Sequence, residues 1–235
     1  MKLALITGAT KGIGRQTAIK FANSGWDLIL IARNIEMLDE LKNELSNTSS
    51  KVVTLACDLG DPEIIQDSLS RVIESFGCPK VLINNAGFAY NGDLIGMPLN
   101  KWQKIIQVNL TSVFQICSYI VPLMRQKGGL IINVSSHAAY NAFPQWSAYC
   151  ISKAALASFT KCLREEERAN SIRACTITLG AVNTPLWDSE DVASDFNRNA
   201  MLTSDSVSNT ILYIAEQPHT QLIEDLILMP ATGAF

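Results

Sequence analysis

The sequence predicts an α/β fold: a doubly wound, seven-stranded parallel sheet with helices on both faces. Three observations predict it. Seven short apolar runs recur along the 235 residues, rich in Val, Ile and Leu and without polar alternation, as strands buried on both faces of a parallel sheet read. Stretches with helical periodicity separate most of them, which makes repeated right-handed βαβ units. A glycine-rich turn, TGATKGIG at 7–14, follows directly on the first run.

The first run is LALI (3–6), and the helical pattern after the glycine turn covers 13–23. LILIA (28–32) is followed by a helical pattern over 35–45, and VVTLA (52–56) by one over 62–76. Pro62 suits the first turn of that third helix, where no amide hydrogen is required. VLIN (81–84) leads to 99–124, apolar almost all round and so expected to be a buried helix, bent at Pro122. LIINV (130–134) precedes a helix over 147–168; ACTITL (174–179) and LILM (226–229) are the last two strands. No linker, repeat or low-complexity tract divides the chain, so residues 1–235 are expected to form one domain. The stretch 184–204 mixes Pro, Asp, Ser and Asn with isolated apolar residues after a strand's carboxyl end. Ligands of open α/β sheets bind there, so it is expected to be a substrate lid.

Composition excludes several classes. With 48% hydrophobic and 17% charged residues, long disordered stretches are not expected. A net charge of −3 argues against a nucleic-acid or anionic-membrane surface. No stretch reads as a membrane span, and the apolar run near the N-terminus is too short for a signal peptide, so a cytoplasmic protein is expected. Six cysteines (57, 78, 117, 150, 162 and 175) without a CxxC pair read as free thiols. The two histidines lack metal-ligand spacing, so no metal site is expected, and the absence of GxSxG argues against a hydrolase elbow. His137 reads more readily as an ordinary loop residue than as part of a substrate mouth.

Gly8, Gly12 and Gly14 allow a tight turn, close backbone approach to phosphates and close helix–strand packing. The helix opening at Gly12–Ile13 would direct free N–H groups at a pyrophosphate, flanked by Thr10 and Lys11. GxGxxG fails at Thr17, and a P-loop fails at Ile13.

From this spacing onward the chain resembles the short-chain dehydrogenase/reductase family. Cys57-Asp58-Leu59, Asn84-Asn85-Ala86-Gly87, Val108-Asn109-Leu110, Asn133-Val134-Ser135-Ser136 and Tyr149-x-x-x-Lys153 match its motifs in order. The resemblance implies a Rossmann-like fold and a nicotinamide dinucleotide held by the glycine turn. It implies that Asp58 and Leu59 lie at the adenine, that Asn85, Ala86 and Gly87 line the cofactor site, and that Gly180, Val182 and Thr184 lie near the nicotinamide. Ser136 would orient the substrate carbonyl, Tyr149 exchange the proton, Lys153 bind the nicotinamide ribose, and Asn109 hold a water that links Lys153 to solvent. A homodimer or homotetramer is also implied. Leu179-Gly180-Ala181 departs from the family's Pro-Gly, which puts the rigidity of that turn in question.

Cofactor choice follows from charge. An acid at the tip of the second strand would bond the ribose 2′-OH of NAD; here the strand ends Ala32-Arg33-Asn34, and Lys11 adds a second cation. NADP(H) is therefore expected over NAD(H), against the plainer readings that Arg33 pairs with Glu36 and Lys11 is merely exposed.

Tyr149 and Lys153 at i and i+4 share a helix face. A lysine beside a phenol favours the phenolate, so the pKa of Tyr149 is expected to fall from its usual value near 10. Taken singly, each residue has a plainer reading: Ser136 as a cap, Asn109 as a tolerated polar residue, the Tyr–Lys pair as helix surface. Phe88, Tyr90, His137, Tyr140, Phe143, Trp146, Leu186 and Trp187 are placed around the cleft, which fits an apolar or planar substrate. Asp188, Glu190, Asp191 and Asp195 against Arg198 read as an acidic rim, favouring a small carbonyl or alcohol over an acidic carrier protein. A 3-oxoacyl-carrier-protein reductase and a non-catalytic NADP(H)-sensing protein are the alternatives.

Overall fold

The computed structural model describes residues 2–192 and 196–233; Asp195 of the expected rim lies outside the described residues. The strands are β1 (Leu3–Thr7), β2 (Asp27–Ala32), β3 (Val52–Ala56), β4 (Val81–Asn84), β5 (Gly129–Ser136), β6 (Ile172–Leu179), β7 (Val182–Asn183), β8 (Leu202–Thr203) and β9 (Asp225–Leu228). The helices are α1 (Gly12–Asn23), α2 (Ile35–Glu44), α3 (Pro62–Phe76), α4 (Leu99–Ile106), α5 (Ser112–Met124), α6 (Ser147–Glu167) and α7 (Ser204–Glu216). Seven strands form one parallel sheet in the order β3-β2-β1-β4-β5-β6-β9, and β7 pairs with β8 in a separate two-stranded ribbon. The fold is Rossmann-like, as expected.

Alternation along each strand divides the core between the two faces of the sheet. From β1, Ala4 and Ile6 join a cluster with Ala18, Phe21, Leu38 and Ile211, beneath α1, α2 and α7. Leu3 and Leu5 face the opposite cluster, with Ile65, Leu69, Ile116, Ile120 and Leu156 from α3, α5 and α6. Strand order reverses between β1 and β4, so the loops at their carboxyl ends diverge and leave a cleft.

Four expectations need correction. The outer strands are not buried on both faces: β3 is only partly covered, and β9 leaves Ile227 exposed, because each has a strand neighbour on one side alone. The helical run 99–124 is interrupted by a π-helical turn over Gln107–Thr111, whereas Pro122 sits inside a continuous α5. Buried Asn109 lies in that turn, anchored by its side chain to groups outside the helix. The run Leu99–Met124 is also long and apolar enough to cross a membrane, but half of its apolar window is buried inside the protein. Finally, α7 was not foreseen. Thr203 accepts a hydrogen bond from the Ser206 amide as its cap, and Val207, Ile211, Ile214 and Ala215 form a buried stripe at helical spacing.

A chain of buried amides joins the sheet to α6. Asn84 Nδ2 donates to Asn133 Oδ1 at 2.8 Å, and Asn133 Nδ2 donates to Thr160 Oγ1 at 2.8 Å. Asn133 is fully buried, so replacing it with Ala would cost Asn84 and Thr160 one buried hydrogen bond each, leaving Asn84 only its contact with Cys117 Sγ and Thr160 only its bond to Leu156 O. Asn133→Ala is expected to lower unfolding free energy by roughly 2–4 kcal/mol. Urea denaturation checks this; an unchanged midpoint would show that the chain contributes nothing to stability.

Candidate active site

The cleft has a volume of about 980 Å³ and begins at the end of β1. Gly8 and Gly12 have φ of 65° and 51°, a region that costs other residues strain. A Cβ at Gly14 would lie 2.2 Å from the Gly8 carbonyl oxygen, so only glycine allows α1 this close to the strand. Thr7 Oγ1 accepts the amides of Asn85 and Ala86, each at 3.0 Å, while Asn85 Nδ2 donates to Thr7 O and Gly8 O. The loop over Asn85, Ala86 and Gly87 is thereby bonded to the glycine turn. Lys11 stands at the N-cap of α1 without a side-chain capping bond. Thr10, Lys11, Gly12 and Ile13 all line the cleft.

Arg33, Asp58 and Leu59 line the cleft beyond the ends of β2 and β3. Among the described residues Arg33 forms no ion pair with Glu36, and neither Arg33 nor Lys11 has an acidic partner. Asp58 Oδ1 accepts the Gly60 amide at 2.9 Å, leaving Oδ2 open.

Ser136 ends β5, and Tyr149 and Lys153 lie in the first two turns of α6. All three line the cleft. Ser136 hydrogen-bonds the Tyr149 side chain, while its Oγ also accepts the Ala138 amide at 3.2 Å. Neighbouring Ser135 is buried instead, with its hydroxyl donating to the Lys153 carbonyl at 3.4 Å, as alternation along a strand requires. Lys153 is 4% exposed; its ammonium donates to Val134 O at 2.9 Å and stands 5.7 Å from the centroid of the Tyr149 ring.

The expected fall in the tyrosine pKa is not what these surroundings produce. Burial pushes the Tyr149 phenol up to about 12, with the Ser136 hydrogen bond pulling the other way. Burial also brings Lys153 down to about 8. Desolvation opposes the charged form of both groups, and here it outweighs their mutual attraction. Near neutral pH Tyr149 is therefore a protonated phenol, the form in which it can donate.

The side chain of Asn109 is held by protein groups on two elements. Its Oδ1 accepts the Phe88 amide at 2.7 Å, and its Nδ2 donates to Phe88 O and Ser152 Oγ, both at 2.9 Å. Ser152 Oγ in turn donates to Tyr149 O at 2.7 Å. The side chain thus ties the loop after β4 to the helix that carries Tyr149. Gly87 passes beside both groups: a Cβ there would stand 3.7 Å from Asn109 Oδ1 and 3.8 Å from Lys153 Nζ.

After β6 the missing proline is compensated by other contacts. The Gly180 amide donates to Leu228 O at 2.9 Å, and Pro230 packs so closely that a Cβ at Gly180 would lie 2.5 Å from its ring. Leu202 N donates to Ala181 O, extending the β7–β8 ribbon, and Trp187 Nε1 donates to Val182 O at 2.8 Å. Thr184 caps the 3₁₀ turn Pro185–Asp188 and packs against Gly12. Gly180, Val182 and Thr184 therefore line the cleft opposite the glycine turn.

Trp146 is 5.6 Å from both Tyr149 and Trp187, and Trp187 is 5.5 Å from Phe196, a residue outside the expected set. His137 lines the mouth, contrary to the plainer expectation, and its Nε2 bonds Asn141 Nδ2 at 2.8 Å. Tyr90 and Tyr140 do not line the cleft. Of the expected acidic rim, Asp188 pairs with Arg198 at 3.0 Å and Asp191 with Lys101 at 2.5 Å, while Glu190 stands exposed. These pairings join residues 10 and 90 positions apart, and the longer one has no mark in the sequence. Among the described residues no His, Cys, Asp and Glu side chains gather as a metal site.

The short chain dehydrogenase family model matches residues 2–194. Serine 3-dehydrogenase of Rhizobium radiobacter is 32% identical over 238 residues, covering 98% of this chain and 94% of the relative. An alcohol dehydrogenase from the archaeon Thermococcus sibiricus, solved with 5-hydroxy-NADP, superposes with a TM-score of 0.90 at 25% identity, covering 98% of this chain and 97% of that one. L-Sorbose reductase from Gluconobacter frateurii, solved with NADPH and L-sorbose, gives 0.88 at 26% identity, covering 97% and 95%. With the glycine turn, the Ser136–Tyr149–Lys153 cluster and this likeness along the chain, the protein belongs to the short-chain dehydrogenase/reductase family of oxidoreductases.

Proposed function

We propose that this protein is an NADP(H)-dependent oxidoreductase acting on a small carbonyl or alcohol compound, with Tyr149 as general acid and base. The observation that carries the reading is the placement of Tyr149 beside Ser136 and Lys153, in the same cleft as the glycine turn. The fit to a dinucleotide rests on the cradle between Gly8 and Gly14, where a Cβ would collide with backbone, and on the uncapped start of α1. The bound nicotinamide supplies or accepts the hydride.

The remaining work falls to side chains of this chain. The Ser136 hydroxyl donates to the substrate oxygen and holds it beside Tyr149. Tyr149 passes its proton to that oxygen as negative charge develops there, or receives one in the reverse direction. The Lys153 ammonium, 5.7 Å from the ring centroid, stabilises the resulting phenolate. Asn109 acts as a positioning residue, through its bonds to Phe88 and to Ser152. Trp187 and its neighbours in 184–204 form the lid that limits water at the reacting oxygen.

The preference for NADP(H) is supported by Arg33 and Lys11, two exposed cations on the cleft without acidic partners among the described residues. A 2′-phosphate would give both a partner, and no carboxylate stands at the end of β2 to favour a free ribose 2′-OH.

Tyr149→Phe is expected to lower turnover of a reducible ketone with NADPH by about 10²–10⁴-fold while leaving NADPH binding unchanged. Steady-state assays beside equilibrium titration test this, and retained turnover would exclude Tyr149 as the proton donor. Arg33→Ala should weaken NADPH binding about tenfold or more and NADH binding little; equal losses would remove the assignment. The third expectation concerns pH. Lys153 has its pKa lowered from 10.5 to about 8, so between those values the unfolded chain holds a proton that the native protein has released. Unfolding free energy should therefore gain a contribution of about 1–3 kcal/mol as pH rises from 8 to 10.5, and below 8 the burial penalty applies in full. Chemical denaturation of the native protein and Lys153→Met across that window should differ by this rise; parallel curves would contradict it.

A further inference from the structure

Beyond Lys11, Arg33 and the buried Lys153, one further cation lines the cleft without an acidic partner among the described residues. Asp188 and Asp191, the carboxylates on its substrate side, are paired with Arg198 and Lys101. Glu190 is exposed and does not line the cleft. Lys101 is engaged twice, by Asp191 and by the face of Tyr90 at 5.3 Å. Lys104, one turn further along α4, lines the cleft with no acidic partner among the described residues, and its ammonium stands 4.5 Å over the ring of Phe88. Asp58 and Asp61 line the adjoining groove with Lys104, but neither approaches it within the 4.0 Å of an ion pair.

The position of Lys104 connects it to the chemistry. Phe88 follows Gly87, whose backbone passes beside Lys153 Nζ, and the Phe88 amide is bonded to Asn109. The aromatic wall of Trp146 and Trp187 begins at Tyr149 itself. A molecule with its carbonyl at Ser136 and Tyr149 thus meets aromatic surface along its body and a cation at the Phe88 side of the mouth.

From this arrangement we infer that the preferred substrate is a carbonyl compound with a planar or apolar body and a carboxylate remote from the reacting carbon, and that Lys104 selects it. Phe88 covers one side of the exposed Lys104 ammonium and no carboxylate among the described residues pairs with it, so a carboxylate is favoured there over a neutral group by a modest, salt-sensitive margin. A lysine provides a point charge without the planar fork of arginine, so charge rather than bidentate geometry sets the preference. The inference rests on the oxidoreductase reading for the identity of the reacting group, but the preference for an anion is a property of binding alone.

The test uses 4-acetylbenzoate and its methyl ester as a matched pair, with and without the charge. Binding is followed by quenching of tryptophan fluorescence, to which Trp146 and Trp187 in the wall contribute, and turnover by NADPH oxidation. The acid is expected to bind, and to show a kcat/KM, about fivefold better than the ester at low salt, with the difference shrinking as salt rises. Lys104→Met should remove the difference, Lys104→Glu reverse it and Lys104→Arg retain it, while ester turnover and NADPH affinity stay unchanged. Equal binding of acid and ester by the native protein overturns the inference. So does a Lys104→Met variant that loses NADPH affinity, since Lys104 would then serve the nucleotide. If neither compound is reduced but the acid still binds preferentially through Lys104, the oxidoreductase reading fails and the anion site stands.

Discussion

A backbone contact with no room for a side chain underlies the whole site. The amino end of α1 comes so close to the end of β1 that a Cβ at Gly14 would overlap the Gly8 carbonyl oxygen. Asn85 bonds that same carbonyl, and Thr7 holds the Asn85 and Ala86 amides, so β1 and β4 end in a single bonded unit. Because the strand order reverses between these two strands, that unit forms the floor of the cleft. Gly12 adds a second close contact, against Thr184, which brings the chain after β6 over the same floor.

The second organising feature is burial acting on Tyr149 and Lys153. Enclosure raises the phenol to about 12 and lowers the ammonium to about 8, so the two groups are moved toward their neutral forms. Ser136 acts against that shift for Tyr149, and the Val134 carbonyl gives the ammonium one direct partner. Hydrogen bonds through Asn109, Ser152 and Phe88 then couple α6, which carries Tyr149, to the loop carrying Gly87. The π turn at Gln107–Thr111 belongs to this coupling, because it carries the side chain that makes it.

Most of the sheet and the glycine turn are legible in the residues. The seven apolar runs correspond to the seven strands of the sheet because a strand covered on both faces must be apolar throughout. The glycine turn was readable because its three small residues are where close approach requires them. The edge strands were overestimated in burial, since a run of Val and Ile does not reveal how many neighbours it has. Thr203 and the stripe from Val207 to Ala215 mark α7, but the polar stretch before it runs directly into the polar first turn of the helix, so the residues alone do not show where one ends and the other begins. The acidic rim was misjudged for a different reason. Net charge in a segment is additive along the chain, but neutralisation is decided by partners as distant as Lys101 from Asp191.

The sequence by itself determined the seven strands of the sheet, the glycine turn and the residues Ser136, Tyr149 and Lys153 that the structure brings to one cleft. These depend on local periodicity and on residue types at short spacing, both of which survive in one dimension. Only the tertiary structure decided the direction of the Tyr149 and Lys153 pKa shifts, the binding of Asn109 to Phe88 and Ser152, and the position of Lys104, which has no acidic partner among the described residues. Desolvation, hydrogen bonding and charge pairing depend on distances between residues far apart in the chain, and packing alone sets those distances.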